Sequence, residues 1–199
     1  TITDPDGAES TATVNYTING TNDAPVACPD LYIVTEDEAG GDVDGNVITN
    51  PSDNNAGLDL DPDGDTLTVV GVNTPDSGVG EPIVGDGGGI FTINADGSFD
   101  FSANGEFEAL APGESAESSV SYTVSDGNGG TSTTTLTVRI DGVNDGPTAV
   151  EDDFTAGPDA LDDLGNVLGN DTDPEDDPLT VSEVNGDPAN VGQPIAGDN

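Results

Sequence analysis

Apolar and polar residues alternate with a period of two through much of this chain. Ala12, Val14, Tyr16 and Ile18 alternate with Thr13, Asn15 and Thr17. Val120, Tyr122 and Val124 alternate with serine and threonine, and Leu136, Val138 and Ile140 alternate with Thr135, Thr137 and Arg139. Phe91/Ile93 and Phe99/Phe101 flank Asn94-Ala95-Asp96-Gly97, a hairpin pattern whose turn favours Asp-Gly. Leu67 and Val69 begin a further strand. Side chains of a strand point alternately to opposite faces, so each segment offers one apolar face to a core and one polar face to water. The pattern predicts an all-β fold of antiparallel two-sheet sandwiches. With 28 Gly and 14 Pro as punctuation, the only helical expectation is one short turn over residues 106–110.

The alternating segments recur. Residues 1–25 (TITDPDGAESTATVNYTINGTNDAP) align without a gap on residues 123–147 (TVSDGNGGTSTTTLTVRIDGVNDGP), an offset of 122. The sequence after each copy recurs too: Gly45-Asn46-Val47 returns as Gly165-Asn166-Val167, and the Asp61–Val69 stretch (DPDGDTLTV) returns at 173–181 as DPEDDPLTV. A period near 120 residues is that of a whole domain rather than of a solenoid unit. The expected division is residues 1–24 as the last strands of one repeat, 25–146 as a complete repeat, and 147–199 as the first part of another. The chain is accordingly expected to be a stretch of a longer polypeptide or fibre, its terminal parts completed by further polypeptide or by neighbouring copies. Residues 50–60 read as a variable surface loop, eight residues longer than their counterpart. Residues 85–89 (GDGGG) read as a flexible connection without the Lys or spacing of a phosphate loop.

Charge changes the picture. The chain has 41 acidic residues and a single basic one, Arg139, for a formal charge of −40. Such a field repels nucleic acid and anionic membranes, both of which need Lys or Arg to neutralise phosphate. It also opposes compaction, so counter-ions belong to the folded state or its medium. With no His and no Lys, a Ser-His-Asp or Cys-His site, a Schiff base and a His-ligated zinc are all excluded. Cys28 stands alone, which excludes an intrachain disulfide; its alignment with Val150 favours a small buried apolar role over a reactive thiol. No stretch approaches the ~20 apolar residues of a membrane span.

Asp61, Asp63 and Asp65 place three carboxylates on alternate residues in a turn before a strand. Hard oxygen ligands at this density suit Ca2+, which takes six to eight oxygens in flexible geometry; a solvated turn is the alternative. The EF-hand reading fails, because its sixth and twelfth positions would be Thr66 and Val72 rather than Gly and an acid. A glycine-rich nonapeptide β-roll fails because no such repeat recurs.

The order strand, Asp126-containing turn, strand, Asn-Asp-x-Pro resembles the end of a cadherin repeat. That ending is carried by residues 122–147 (YTVSDGNGGTSTTTLTVRIDGVNDGP). The whole run, with linkers Asn22-Asp23-Ala24-Pro25 and Asn144-Asp145-Gly146-Pro147, resembles the VCBS and cadherin-like tandem repeats of large bacterial surface adhesins. The resemblance implies tandem Ig-like/cadherin-like sandwiches in an extended array with calcium at the junctions. Carried onto this sequence, Asn22, Asp23, Asp61, Asp63 and Asp126 form the first junction, with Asp65 beside them. Asn144, Asp145, Asp173 and Glu175 begin the second, where Glu175 departs from the usual Asp. Glu36, Glu38 and Asp30 are the candidates for the acidic group that a preceding cadherin domain contributes.

The expected function is that of a calcium-rigidified extender in a secreted or surface-attached adhesin, with calcium and neighbouring repeats as partners. The rival is a subunit of a self-associating extracellular filament, in which other copies are partners. An enzyme accessory or glycan-binding module is the third class. Against it stand the lack of Trp and the small complement of three Tyr and five Phe, most at inward-facing positions. No catalytic site is expected.

Overall fold

A computed structural model describes residues 1–37, 43–49, 57–74, 77–154 and 165–193. Its centre is a sandwich of two four-stranded sheets. One contains β3 (Asp30–Thr35), β5 (Thr68–Val72), β9 (Ser115–Ser125) and β10 (Thr131–Asp141), in the order β3-β10-β9-β5. The other contains β4 (Val43–Asn46), β6 (Ile83–Val84), β7 (Ile90–Ile93) and β8 (Ser98–Ser102), in the order β4-β8-β7-β6. Among the described residues there is no α-helix, and residues 106–110 make only tight turns, with Glu106 N on Ala103 O and Leu110 N on Phe107 O.

The alternation read from sequence is what closes the core. Val120, Tyr122 and Val124 of β9 and Leu136, Val138 and Ile140 of β10 are buried, and they meet Phe91, Ile93, Phe99 and Phe101 from the facing sheet. Each such side chain contributes roughly 1.5–3 kcal/mol on burial. Asn94 and Gly97 close the β7–β8 hairpin as expected, Gly97 adopting the left-handed φ of 85°. The repeated Gly-Asn-Val motif also acquires a cause. A Cβ on Gly45 would strike the Phe99 and Tyr32 rings, and one on Gly165 would strike the ring of Phe154, the counterpart of Tyr32 in the repeat.

One pairing departs from the antiparallel expectation. β3 runs parallel to β10, from Asp30 opposite Leu136 to Thr35 opposite Asp141. Parallel pairing requires a crossover, supplied here by the intervening strands. The first and last strands therefore begin together and end together, so the two linkers leave from opposite ends of the sandwich. Glu36, directly after β3, accordingly lies beside the outgoing linker: its N–H bonds Asp141 O at 3.2 Å.

Three further expectations need correction. Residues 12–18 form no strand, and Val14, Tyr16 and Ile18 are 71–93 % exposed, although the equivalent Leu136, Val138 and Ile140 are fully buried. The physical difference is the partner. β10 lies between β3 and β9, whereas before residue 25 the described residues pair only in the short hairpin of β1 (Ile2–Thr3) and β2 (Glu9–Ser10). Residues 85–89 are not a loose connection. Gly89 N bonds Glu106 Oε2 at 2.7 Å, and a Cβ on Gly87 would collide with Glu117 O, so these glycines permit close packing against β9. Cys28 is half-buried rather than buried, and its contribution is made by its backbone: its N–H bonds Asp59, and its C=O lies 3.3 Å from the Tyr122 hydroxyl. Of the expected loop, residues 50–56 lie outside the described ones, while Leu60 pairs with Val26 at the loop's end.

Candidate metal centres at the two linkers

At the first linker, three separate segments meet. Asp61 begins a tight turn in which its Oδ1 accepts from Asp63 N at 2.9 Å and Asp65 N at 3.1 Å. Side chains of this kind favour turns because they replace a backbone acceptor. The turn points three carboxylates into one place, with an oxygen from each of Asp61, Asp63 and Asp65 within 4.8 Å of the others. The linker reaches the turn through Asp23 N, which bonds Asp63 Oδ2 at 2.7 Å. It reaches the β9–β10 turn through Asn22 Nδ2, which donates to Asp126 Oδ2 at 2.8 Å. Asn128 closes the triangle, its Nδ2 donating to Asp65 Oδ2 at 2.7 Å. Asp126 is 5 % exposed. The Asn22 amide, followed by the N–H groups of Asn128 and Gly130, holds its carboxyl below the usual carboxylate range.

The second linker repeats the arrangement. Asp173 Oδ1 accepts from Glu175 N at 3.2 Å and Asp177 N at 3.1 Å, and Asp145 N bonds Glu175 Oε1 at 2.7 Å. Asn144 Nδ2 donates to the Asp145 carbonyl at 2.7 Å, as Asn22 does to Asp23. The longer Glu175 thus occupies the place of Asp63. Asp176 takes the left-handed φ of 59° where the first turn has Gly64. From the preceding domain comes Glu36, whose Oε1 accepts from Val143 N at 2.6 Å. Burial raises the Glu36 carboxyl above its ordinary pKa, opposed by the Val143 bond and reinforced by the Asp145, Glu108 and Asp37 carboxylates.

All ten acids and amides read from the sequence are therefore at a linker or at a turn facing one. Of the three candidates from a preceding domain, the structure brings Glu36 to the linker. It seats Asp30 in the core, where Asp30 Oδ2 receives the Tyr122 hydroxyl at 2.7 Å, and Glu38 lies outside the described residues. Asn128, Asp59 and Asp171 were not singled out by the sequence. For the two aspartates the signal was available, since Asp59 and Asp171 both stand two residues before the turn. Glu36, one of the three candidates named from the sequence, has no such recurrence, because the position one offset later is Pro158.

Residues 22–142 match a sequence family described as the bacterial cadherin-like domain. The chain belongs to that family. Residues 144–198 match a second family, the bacterial Ig domain, so the cadherin-like domain is followed by Ig-like sequence. No match was found among curated proteins. Cadherin-like and Ig-like domains are structural modules typical of bacterial surface and extracellular proteins, and no helix among the described residues is long and apolar enough to cross a membrane.

Four buried side-chain oxygens among the described residues have no hydrogen-bond partner: Glu36 Oε2, Asp61 Oδ2, Asp145 Oδ2 and Glu175 Oε2. Every one belongs to a linker cluster of this cadherin-like chain. A buried carboxylate oxygen left unpaired is costly, because desolvation is not offset by a donor. The protein has little with which to offset it, since Arg139, its only basic side chain, is committed to Asp141 at 2.7 Å. An all-oxygen, carboxylate-rich donor set fits a hard divalent cation, and its loose spacing fits Ca2+ better than Mg2+.

Proposed function

We propose that this segment is a calcium-rigidified extender of a long secreted or surface-attached bacterial adhesin, built of VCBS- or cadherin-like repeats, with a mechanical rather than a catalytic role. The observation that carries this reading is the set of four unpartnered, buried carboxylate oxygens at the linkers. At the first linker, Asn22, Asp23, Asp61, Asp63, Asp65 and Asp126 would hold the ion. At the second, Asn144, Asp145, Asp173 and Glu175 would do so, joined by Glu36 from the domain before. Bound calcium supplies positive charge shared between successive domains, so that carboxylates which repel one another become a tie across the hinge.

Location follows from the affinity of such sites. Extracellular calcium modules bind at about 10⁻⁴–10⁻³ M, a concentration that sea water or host fluids provide and cytosol does not. The test is scattering and melting of the 199-residue chain in calcium and in excess chelator at matched ionic strength. Chelation is expected to expand the chain and to lower its melting temperature; identical curves in both conditions would refute calcium as a structural element.

A further inference from the structure

Each metal turn is preceded, two residues earlier, by another aspartate: Asp59-Leu60-Asp61-Pro62-Asp63 and Asp171-Thr172-Asp173-Pro174-Glu175. The structure gives both the same task. Asp59 Oδ1 accepts from Cys28 N at 2.7 Å, and Asp171 Oδ1 accepts from Val150 N at 2.8 Å. On the linker side of that contact, the two chains exchange a pair of backbone bonds. Val26 and Leu60 pair at 2.8 and 3.0 Å, and Thr148 and Thr172 at 2.7 and 3.0 Å. Nearer the linker comes the third contact, Asp23 N on Asp63 and Asp145 N on Glu175, both at 2.7 Å.

The middle contact is backbone to backbone and fits many registers. The outer one belongs to the metal cluster. The first aspartate supplies the side-chain contact to the linker strand that both repeats share outside the metal cluster; Ser132 Oγ on Ala27 N and Asn170 Nδ2 on Glu151 O each add a contact in one repeat alone. A slip of two residues, the smallest that keeps side chains on their faces, would carry Asp23 about 7 Å from Asp63. In the central domain the clamp also lies against the core, with Asp59 Oδ2 3.2 Å from the buried Tyr122 hydroxyl. Core packing does not explain the clamp, however. Asp171 makes the same bond to a residue, Val150, that is 48 % exposed.

We propose that Asp59 and Asp171 are positioning residues of the two calcium centres, each holding the linker strand in the register that brings the linker Asn-Asp pair onto the second acid of the turn. This rests on the calcium reading above. Neither aspartate is a ligand: they act through Asp23 and Asp63, and through Asp145 and Glu175.

Calcium titration calorimetry on the 199-residue chain tests it, with melting curves in calcium and in chelator. Asp63→Ala identifies the uptake of the first centre. Asp59→Ala should weaken that same uptake about 10–100-fold and leave the second centre unchanged, the size expected when an outer-shell partner is lost. Asp171→Ala should do the reverse. Asp59→Asn, which keeps a carbonyl acceptor for Cys28 N, should restore most of the affinity. Should Asp59→Ala be too unstable to study, Asp171→Ala carries the test alone, since Asp171 lies outside the central core. Variants that lower melting equally with and without calcium, while both affinities stay at wild type, would overturn the positioning role alone. A wild-type chain that takes up no calcium would overturn both this role and the calcium reading.

Discussion

Removal of calcium should destabilise the central sandwich from both ends, and the size of the effect can be worked out. One buried oxygen at the first linker and three at the second lack a partner, so on the calcium reading the ion would bind the folded state and not the unfolded chain. A site with a dissociation constant of about 10⁻⁴–10⁻³ M, at about 10 mM calcium, stabilises by about 1.4–2.7 kcal/mol. One ion at each end then contributes about 3–5 kcal/mol. For a domain of this size a kilocalorie moves the midpoint by about 4 °C, so chelation should lower it by roughly 10–20 °C. Differential scanning calorimetry measures this directly, with sodium chloride added to the chelated sample to match ionic strength. That control matters because a chain of charge −40 is stabilised by any salt. A midpoint that depends on ionic strength alone would mean that the acids are a solvated surface, and that the unpartnered oxygens are met by water.

Magnesium at the same concentration should recover only a small part of the calcium effect, because it demands octahedral geometry and dehydrates reluctantly; equal recovery would again point to screening. Asp145→Ala should abolish calcium-dependent ordering across the second linker, seen by scattering. In chelator the same variant should leave the central sandwich at wild-type stability to within about 0.5 kcal/mol, because Asp145 lies beyond β10 rather than in the core. Asp96 tests pH dependence away from the linkers. Bonds from the Ser98 hydroxyl at 2.6 Å and Ser98 N at 3.1 Å hold its carboxyl below the usual range. A depressed folded pKa gives stability that is present above the unfolded value and lost as pH falls through the folded one. The melting deficit of Asp96→Asn should therefore be visible at pH 7 and shrink below about pH 4; a deficit that grows on acidification would contradict the assignment.

The sandwich was legible where alternation met a turn signal. The β7–β8 hairpin and the inner faces of β9 and β10 could be read residue by residue. β3 could not, because as an edge strand it is less cleanly patterned: Ile33 is 43 % exposed and Val34 is buried, while Tyr32 is only half-covered by Phe99. Nor does any local pattern encode that β3 pairs in parallel, since direction is decided by the path of the chain between strands. Residues 12–18 show the converse limit. Their alternation matches that of β10, yet they make no strand: a sequence records which face would be buried, not whether a partner is present. The linker clusters were legible because they recur, and the recurrence extends to geometry, down to the matching 2.7 Å contacts of Asp23 and Asp145. The glycines among residues 85–89 misled because close packing and flexibility call for the same residue.

The parallel pairing of β3 with β10 also puts the linker-facing acids of this domain at both of its ends. At one end the sandwich presents Asp61, Asp63, Asp65 and Asp126 to the linker it receives. At the other it presents Glu36 to the linker it emits. On the calcium reading, neither group would make a complete ligand set: the first would need Asn22 and Asp23 from the linker before it, and Glu36 would need Asp145 and the turn of the next domain. The central domain would then own part of two centres and the whole of neither, and its neighbours would supply the rest. In a chain with one basic residue, already bound to Asp141, those incomplete sets repel unless a cation joins them. The proposed function thus ties the acidic composition to the architecture: the same carboxylates that would drive an isolated pair of domains apart would provide, with calcium shared between them, a strong tie across the hinge.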